Sequence, residues 1–172
     1  MTSPTSNNKI FYGLWVTSLL LRIEWGISTS MLPLYIHDLG GSPLEVGLVF
    51  SVFAGISIFS NTFWGALSDH LGKRKVFIVG GMAAIVPLFL LMAFQKDRLC
   101  LILLRGSTAL FKGAVVPASW ALVADLSPPE RVGANLGVLS SIETAGFAFG
   151  PIIGGLVADL FGFPSLWLFV AG

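Results

Sequence analysis

Residues 65–76 read GALSDHLGKRKV and place one acid and three consecutive bases between two long apolar stretches. This pattern predicts a tight polar loop that joins two hydrophobic helices. Gly65 would let one helix pack closely, and Gly72 suits a turn that needs a positive φ. Asp69 either caps the incoming helix or pairs with a nearby base. The bases of this loop are Lys73, Arg74 and Lys75.

The composition is that of a membrane protein. Hydrophobic residues make up 55% of the 172-residue chain and charged residues only 11%, whereas soluble domains contain about 25% charged residues. The net charge of +1, with bases confined to a few loops, argues against nucleic-acid binding. A single cysteine, Cys100, excludes a disulfide framework and a cysteine-based metal site. The first apolar run is too long for a signal-peptide core, which predicts an uncleaved first helix.

Five apolar runs are long enough to cross a bilayer, which takes about 20 residues. We predict helices at residues 10–36, 43–67, 76–94, 99–122 and 132–161, and the start of a sixth at 163–172 that is too short to cross. The polar joints between them are short, so neighbouring helices should be antiparallel and packed together. The expected fold is therefore an all-α membrane bundle in contact with the lipid bilayer.

The distribution of bases predicts the orientation in the membrane. One side carries Lys9, the three bases of residues 73–75 and Arg131, whereas the other side carries only Lys96 and Arg98. Cytoplasmic loops hold an excess of Lys and Arg. We therefore expect a multi-pass protein of the cell membrane with its N-terminus in the cytoplasm.

A motif that occurs twice in the chain predicts an internal repeat. The glycines and acid of Gly65-x3-Asp69-x2-Gly72 recur as Gly155-x3-Asp159-x2-Gly162, ninety residues and three helices later. Because three is an odd number of spans, the second copy would face the opposite side of the membrane. Inverted three-helix repeats of this kind build many secondary transporters.

The fifth apolar run carries a glycine motif. Three of its glycines recur every four residues, which predicts a smooth stripe that lets another helix approach. Its proline removes one backbone hydrogen bond and should bend the helix. The residues of the motif are Gly137, Gly146, Gly150, Pro151, Gly154 and Gly155.

These motifs resemble those of major facilitator superfamily (MFS) transporters. Residues 65–75 are similar to the family's loop between helices two and three, G-x-L-[SA]-D-R-x-G-[RK]-[RK], with His70 where Arg is usual. The fifth-helix motif resembles that of the drug/proton antiporters, and Arg105 matches the membrane-embedded arginine of the fourth helix, which the family implicates in proton coupling.

The resemblance implies an MFS-type six-helix half built from two inverted three-helix repeats, with the sixth helix incomplete. It also implies secondary active transport of a small molecule, with proton-coupled export by alternating access and residues 65–75 acting as a gating latch. A second six-helix half would be needed, in the same longer chain or in a separate one.

Charged residues inside the predicted helices are the candidate functional residues, since each costs about 2.5–3.5 kcal/mol at mid-bilayer. Arg105 and Lys112 are seven residues apart and share one helix face, so they need acidic partners or an anionic ligand. In the MFS fold the first and fourth helices line the central cavity. We therefore expect Glu24 to bind the proton, with the two bases tuning it or contacting substrate. The full set is Arg22, Glu24, Arg105, Lys112 and Glu143.

Several alternatives stay open at this stage. Arg22 could instead snorkel to the cytoplasmic interface, and Glu143 could be a structural partner of Arg105. Interface anchoring or helix packing is the expected role of three tryptophans, Trp64, Trp120 and Trp167. The two bases favour an anionic or carboxylate-bearing substrate, whereas the fifth-helix motif favours lipophilic drugs.

Enzyme signatures are missing from the sequence, which has no Ser/His/Asp set at plausible depth, no phosphate-binding glycine loop and no His/Cys metal spacing. We expect no enzymatic activity, cofactor or metal, and transport driven by an ion gradient or by the substrate itself. The alternative is a non-transporting membrane subunit or an inactive, truncated half of a transporter.

Overall fold

The computed structural model describes the backbone of residues 4–172 and the side chains from residue 10 onward. Residues 1–3 and the side chain of Lys9, on which part of the predicted orientation depends, lie outside the described residues. All five helices are long and apolar enough to cross a membrane, which confirms the predicted all-α membrane organisation for this part of the chain. The helices are α1 (Pro4–Asp38), α2 (Pro43–Leu71), α3 (Arg74–Phe94), α4 (Arg98–Leu126) and α5 (Val132–Ala171), with a 3-10 turn at Pro129–Arg131.

The ends of α2 show why this helix begins and stops where it does. Ser42 Oγ accepts a hydrogen bond from the Glu45 amide, and the Glu45 carboxylate accepts one from the Ser42 amide at 2.7 Å, which forms a capping box. At the other end Gly72 has φ 61°, as predicted, and its N–H donates to backbone carbonyls of the last turn. The helix continues past the predicted end at residue 67, so the polar loop is reduced to Gly72 and Lys73.

The contact between α1 and α5 depends on the predicted glycine stripe. A Cβ at Gly150 would lie 2.5 Å from the carbonyl oxygen of Ile23, and one at Gly154 would lie 2.9 Å from the Met31 side chain. Residue numbers rise together along the two helices, so α1 and this part of α5 run parallel. The stripe therefore brings the two backbones close together, as small residues do at membrane helix contacts.

The α2–α4 contact is built in the same parallel manner. A Cβ at Gly113 would overlap Ser60, whose Oγ donates to the Leu110 carbonyl at 2.5 Å. Gly65 contributes less than predicted, because a Cβ there would lie an ordinary 3.7 Å from the Pro117 side chain. The predicted close approach of a helix at Gly65 is therefore not observed, since an alanine would fit there at ordinary contact distance.

Two glycines of the fifth-helix motif lie away from this contact. Cβ atoms at Gly137 and Gly155 would meet no atom within 4 Å among the described residues. Pro151, by contrast, lies at the contact with α1, since a Cβ at Gly26 would lie 3.1 Å from its ring. The motif is thus divided between a packed stripe and an outward face.

The predicted joint at residues 162–164 is a break within α5 at one residue. Gly162 has φ 78° and ψ 167°, which are not helical. Beyond it the Phe163 ring lies 5.0 Å from the Tyr35 ring, and Leu166 is buried in one cluster with Ile27. The chain therefore reverses at Gly162 and packs back along α1.

The main hydrophobic cluster draws on all five helices, and one part of it lies where α1, α3 and this returning segment meet. Trp167 is fully buried, stacks on Phe89 with ring centroids 6.3 Å apart, and lies beside Tyr35. Packing, not interface anchoring, is therefore the role of Trp167.

Candidate functional site

The five predicted intramembrane charges form two groups in the structure. We call the first the Glu143 cluster, which consists of Arg22, Glu143 and the indole of Trp120. The second, the Glu24 cluster, consists of Glu24, Arg105, Lys112 and the ring of Phe53. Helix α1 connects the two, since it carries both Arg22 and Glu24.

The Glu143 cluster pairs one base with one acid. Arg22 Nη2 donates to Glu143 Oε2 at 2.6 Å, and Trp120 Nε1 donates to the other carboxylate oxygen at 3.1 Å. The Arg22 guanidinium also lies over the Trp25 ring, 4.6 Å from its centroid. The arginine side chain is 18% exposed and the glutamate side chain 9%.

These contacts correct two of the alternatives above. Arg22 does not snorkel, because its guanidinium is held by a carboxylate inside the bundle. Glu143 is not the partner of Arg105, because both of its oxygens are engaged by Arg22 and Trp120. Trp120, expected to be an anchor or packing residue, is a hydrogen-bond donor to the buried acid.

The Glu24 cluster has one acid for two bases. Glu24 Oε2 forms an ion pair with Lys112 Nζ, and Oε1 lies 3.5 Å from Arg105 Nη1. Ser28 Oγ donates to the same Oε1 at 2.8 Å. Arg105 is only 1% exposed. The structure thus brings together three of the five residues that the sequence assigned to proton coupling or the substrate cavity.

Phe53 of α2 forms the other side of this cluster and was missed by the sequence analysis. Its ring centroid lies 4.4 Å from the Arg105 guanidinium carbon and 5.9 Å from Lys112 Nζ, within reach of a cation–π attraction. Nε and Nη1 of Arg105 make no hydrogen bond in the described part of the chain. Arg105 is therefore held by the charge of Glu24 and by the ring face of Phe53, and its Nε and Nη1 groups remain available as hydrogen-bond donors.

The ninety-residue offset between the two Gly-x3-Asp-x2-Gly motifs also relates the two clusters, and it could have identified Phe53 as a site residue. It maps Arg22 onto Lys112 and Phe53 onto Glu143. Under this offset a base of one cluster corresponds to a base of the other, but the partner at the mapped position is a carboxylate in one case and a benzene ring in the other.

A cavity of about 490 Å³ opens beside the Glu24 cluster, between α1, α2 and α4. Its wall combines aromatic rings, small polar groups and bases, a mixture typical of small-molecule sites. Among the described residues, no group of three His, Cys, Asp or Glu side chains could hold a metal ion. The lining includes Trp25, Phe50, Phe53, Thr29, Ser57, Asn61, Arg22, Arg105 and Lys112.

The predicted gating loop is organised around Arg74. Its guanidinium pairs with Asp69 in the last turn of α2 and with Asp125 in the last turns of α4, the latter at 2.5 Å. Of the two roles considered for Asp69, pairing with a base is therefore the one observed. Lys73 caps α3 without a side-chain hydrogen bond. This network joins the ends of three helices on one side of the bundle.

Long apolar helices that enclose paired charges and a mostly apolar cavity are typical of a multi-pass membrane protein. The family model described as "Major Facilitator Superfamily" matches residues 14–172, and the chain belongs to this family of membrane transporters.

Relatives with curated names agree with this assignment. The chain is 32% identical over 154 residues to an uncharacterized MFS-type transporter of Methanocaldococcus jannaschii, an alignment that covers 90% of this chain and 40% of the relative. It is also 32% identical over 153 residues to the quinolone resistance protein NorA of Staphylococcus aureus, covering 89% of this chain and 39% of NorA. The chain thus spans about two-fifths of the length of these relatives.

Proposed function

We propose that the chain forms the N-terminal half of a secondary active transporter that exports a small molecule in exchange for protons. The observation that carries this proposal is Glu24, a carboxylate between two buried bases, Arg105 and Lys112, which line the 490 Å³ cavity. Charged groups at such depth are costly and mark ion or substrate pathways in membrane proteins.

The proposed architecture is a six-helix half made of two inverted three-helix repeats, in which residues 1–172 form one domain and the segment after Gly162 begins the sixth helix. Two observations support it. Gly72 and Gly162, which the repeat makes equivalent, both have positive φ, at 61° and 78°. The two parallel helix pairs, α1–α5 and α2–α4, also exchange with each other under the repeat. A second half, in the same longer chain or in another, completes the cavity.

In the proposed mechanism Glu24 exchanges its two basic partners for a proton. When the carboxylate takes up a proton it loses its charge, and the ion pairs with Lys112 and Arg105 are released. The freed bases then face the cavity and its contents. Because the proton and the bases compete for one carboxylate, proton binding and cargo binding become coupled, as exchange requires.

The loop network acts as the gate of this cycle. Arg74 joins Asp69 and Asp125 across three helix ends, so rocking of the helices in alternating access would break these ion pairs. The bases of the loop support a cytoplasmic position for it by the positive-inside rule, and the proposed orientation puts the N-terminus of the chain on the same side.

The test is proton-driven uptake into inside-out membrane vesicles from cells that express the intact gene, with a quinolone as cargo because a relative is a quinolone resistance protein. We expect Glu24→Gln to abolish uptake driven by a pH gradient at unchanged protein abundance. Glu130→Gln, which changes an exposed carboxylate in the α4–α5 connection, is the matched control. Undiminished uptake by Glu24→Gln would refute the coupling role, and no uptake by the wild-type protein would favour a non-transporting subunit.

A further inference from the structure

The membrane interior of the described chain carries a surplus positive charge. Away from the helix ends, its charged side chains are three bases and two acids, namely Arg22, Arg105, Lys112, Glu24 and Glu143. Asp159 is exposed in the last turn before the break at Gly162 and is not counted among them. Residues 46–68 of α2 and 76–94 of α3 add none. One positive charge is therefore left without a carboxylate in a region where unbalanced charge is costly.

The repeat locates this surplus. Arg22 and Lys112 are equivalent positions, and so are Glu143 and Phe53. Arg22 has its own carboxylate, whereas Lys112 finds an aromatic ring at the mapped position and must share Glu24 with Arg105. The unmatched charge thus lies in the Glu24 cluster, at the wall of the cavity.

The cavity combines basic and aromatic side chains, which suit a ligand with a negatively charged group and an aromatic ring. Arg105, which is 1% exposed, has two nitrogens without hydrogen bonds and lines this cavity. Beside it stand the apolar faces of Trp25, Phe50 and Phe53. A carboxylate would accept charge-assisted hydrogen bonds from the guanidinium, and a flat ring would pack against the aromatic wall.

We propose that this cavity binds small aromatic carboxylates, with Lys112 and Arg105 holding the anionic group. The inference rests on the proposed function in that it takes the cavity as the place where cargo binds. The single negative charge of such a ligand equals the surplus that the described residues of this half carry in the membrane.

The test is equilibrium binding of radiolabelled 2-naphthoate to the purified product of the intact gene in phosphatidylcholine nanodiscs. 2-Naphthamide, which has the same shape but no charge, serves as a competitor. We expect the amide to bind at least about tenfold more weakly, since hydrogen bonds to charged groups are roughly twice as strong as neutral ones. Equal binding of the two, or no binding of naphthoate, would overturn the proposal.

Two substitutions address the surplus charge directly. Lys112→Met leaves Glu24 paired with Arg105, and Phe53→Glu supplies the carboxylate that the repeat lacks. Each should lower the preference for naphthoate over naphthamide about tenfold. Phe53→Glu also removes one ring of the aromatic wall, which weakens both ligands. Phe53→Glu is also the variant expected to stay folded if Lys112→Met does not, because it adds a carboxylate partner for Lys112 and removes no charge. Lys96→Gln, in the exposed α3–α4 connection, is the control and should change neither affinity. Unchanged naphthoate binding in both cluster variants would contradict the proposal.

Glu24→Gln separates this inference from the transport proposal. It should abolish proton-driven uptake but strengthen naphthoate binding, because it leaves two bases without an acid. If uptake survives and naphthoate is still preferred over naphthamide, coupling through Glu24 is wrong and the anion site stands. Repeating the binding in nanodiscs with phosphatidylglycerol tests whether the anion is a lipid headgroup, and loss of naphthoate binding there would assign the site to lipid and contradict a cargo role.

Discussion

Under the proposed repeat the Glu143 cluster and the Glu24 cluster correspond to each other, but their buried charges are neutralised in different ways. In the first, Arg22 and Glu143 neutralise each other at 2.6 Å, with a tryptophan hydrogen bond to complete the site. In the second, one carboxylate serves two bases, and an aromatic ring takes the place of the missing acid. The comparison separates a structural ion pair, which joins helices, from an unbalanced site that depends on a proton or a ligand.

The strongest test of this comparison is to break the Glu143 cluster. Glu143→Leu leaves the Arg22 guanidinium buried without a carboxylate, and removing one partner of a buried pair costs about 3–5 kcal/mol of unfolding free energy. Arg22→Met together with Glu143→Leu removes both charges and should recover most of the loss. Unfolding of the purified protein in detergent by titration with sodium dodecyl sulfate measures both.

The same double variant, Arg22→Met with Glu143→Leu, also tests whether the Glu143 cluster takes part in proton-driven transport. If the Glu143 cluster is structural, the double variant keeps proton-driven uptake while Glu24→Gln does not. Loss of uptake in a stably folded double variant would show that the Glu143 cluster takes part in coupling, and the distinction drawn between the clusters would fail.

A smaller effect is expected from the helix contacts that position the two clusters. A Cβ at Gly150 would lie 2.5 Å from the backbone oxygen of Ile23, and one at Gly113 would meet the backbone of Ser60. Because backbone cannot move aside cheaply, Gly150→Ala and Gly113→Ala should each cost about 1–3 kcal/mol of stability, as overpacking does. Thermal denaturation followed by far-ultraviolet circular dichroism measures the loss.

Gly155→Ala is the matched control for that pair, since its Cβ would meet no atom within 4 Å. It should be neutral or stabilising by up to about 1 kcal/mol, because glycine weakens a helix interior relative to alanine. Comparable losses at Gly150 and Gly113 are expected, because each added Cβ would meet the backbone of the parallel partner helix. A large loss at only one of them would show that the two parallel contacts are not equivalent.

Sequence patterns predicted most of the fold, because the signals involved are local. Lengths of apolar runs located the helices, and the requirement for positive φ identified Gly72. Errors arose where local patterns end: α2 continues past residue 67 because Asp69 and His70 are tolerated in its last turn, and Gly65 proved to have ordinary spacing.

The candidate site was predicted less completely, because pairing depends on how helices are rotated against one another. Sequence placed five charges within the predicted helices and offered Arg105 as a partner of Glu143, whereas the structure pairs Glu143 with Arg22. Phe53 gave no polar signal at all, and only its position relative to the repeat distinguishes it from the other phenylalanines. Periodicity shows which residues share a face, but not which face meets which neighbour.

The smallest effect concerns the aromatic ring that replaces the carboxylate. Phe53→Leu keeps an apolar side chain but removes the π face that lies 4.4 Å from the Arg105 guanidinium and 5.9 Å from Lys112 Nζ. Cation–π contacts contribute about 0.5–2 kcal/mol, so stability should fall by about 1 kcal/mol in detergent titration. Phe50→Leu changes a neighbouring ring of the same cavity that has no such contact, and it should cost less. If the two variants are equally stable, the ring does not compensate the missing acid, and the surplus charge depends on Glu24 alone.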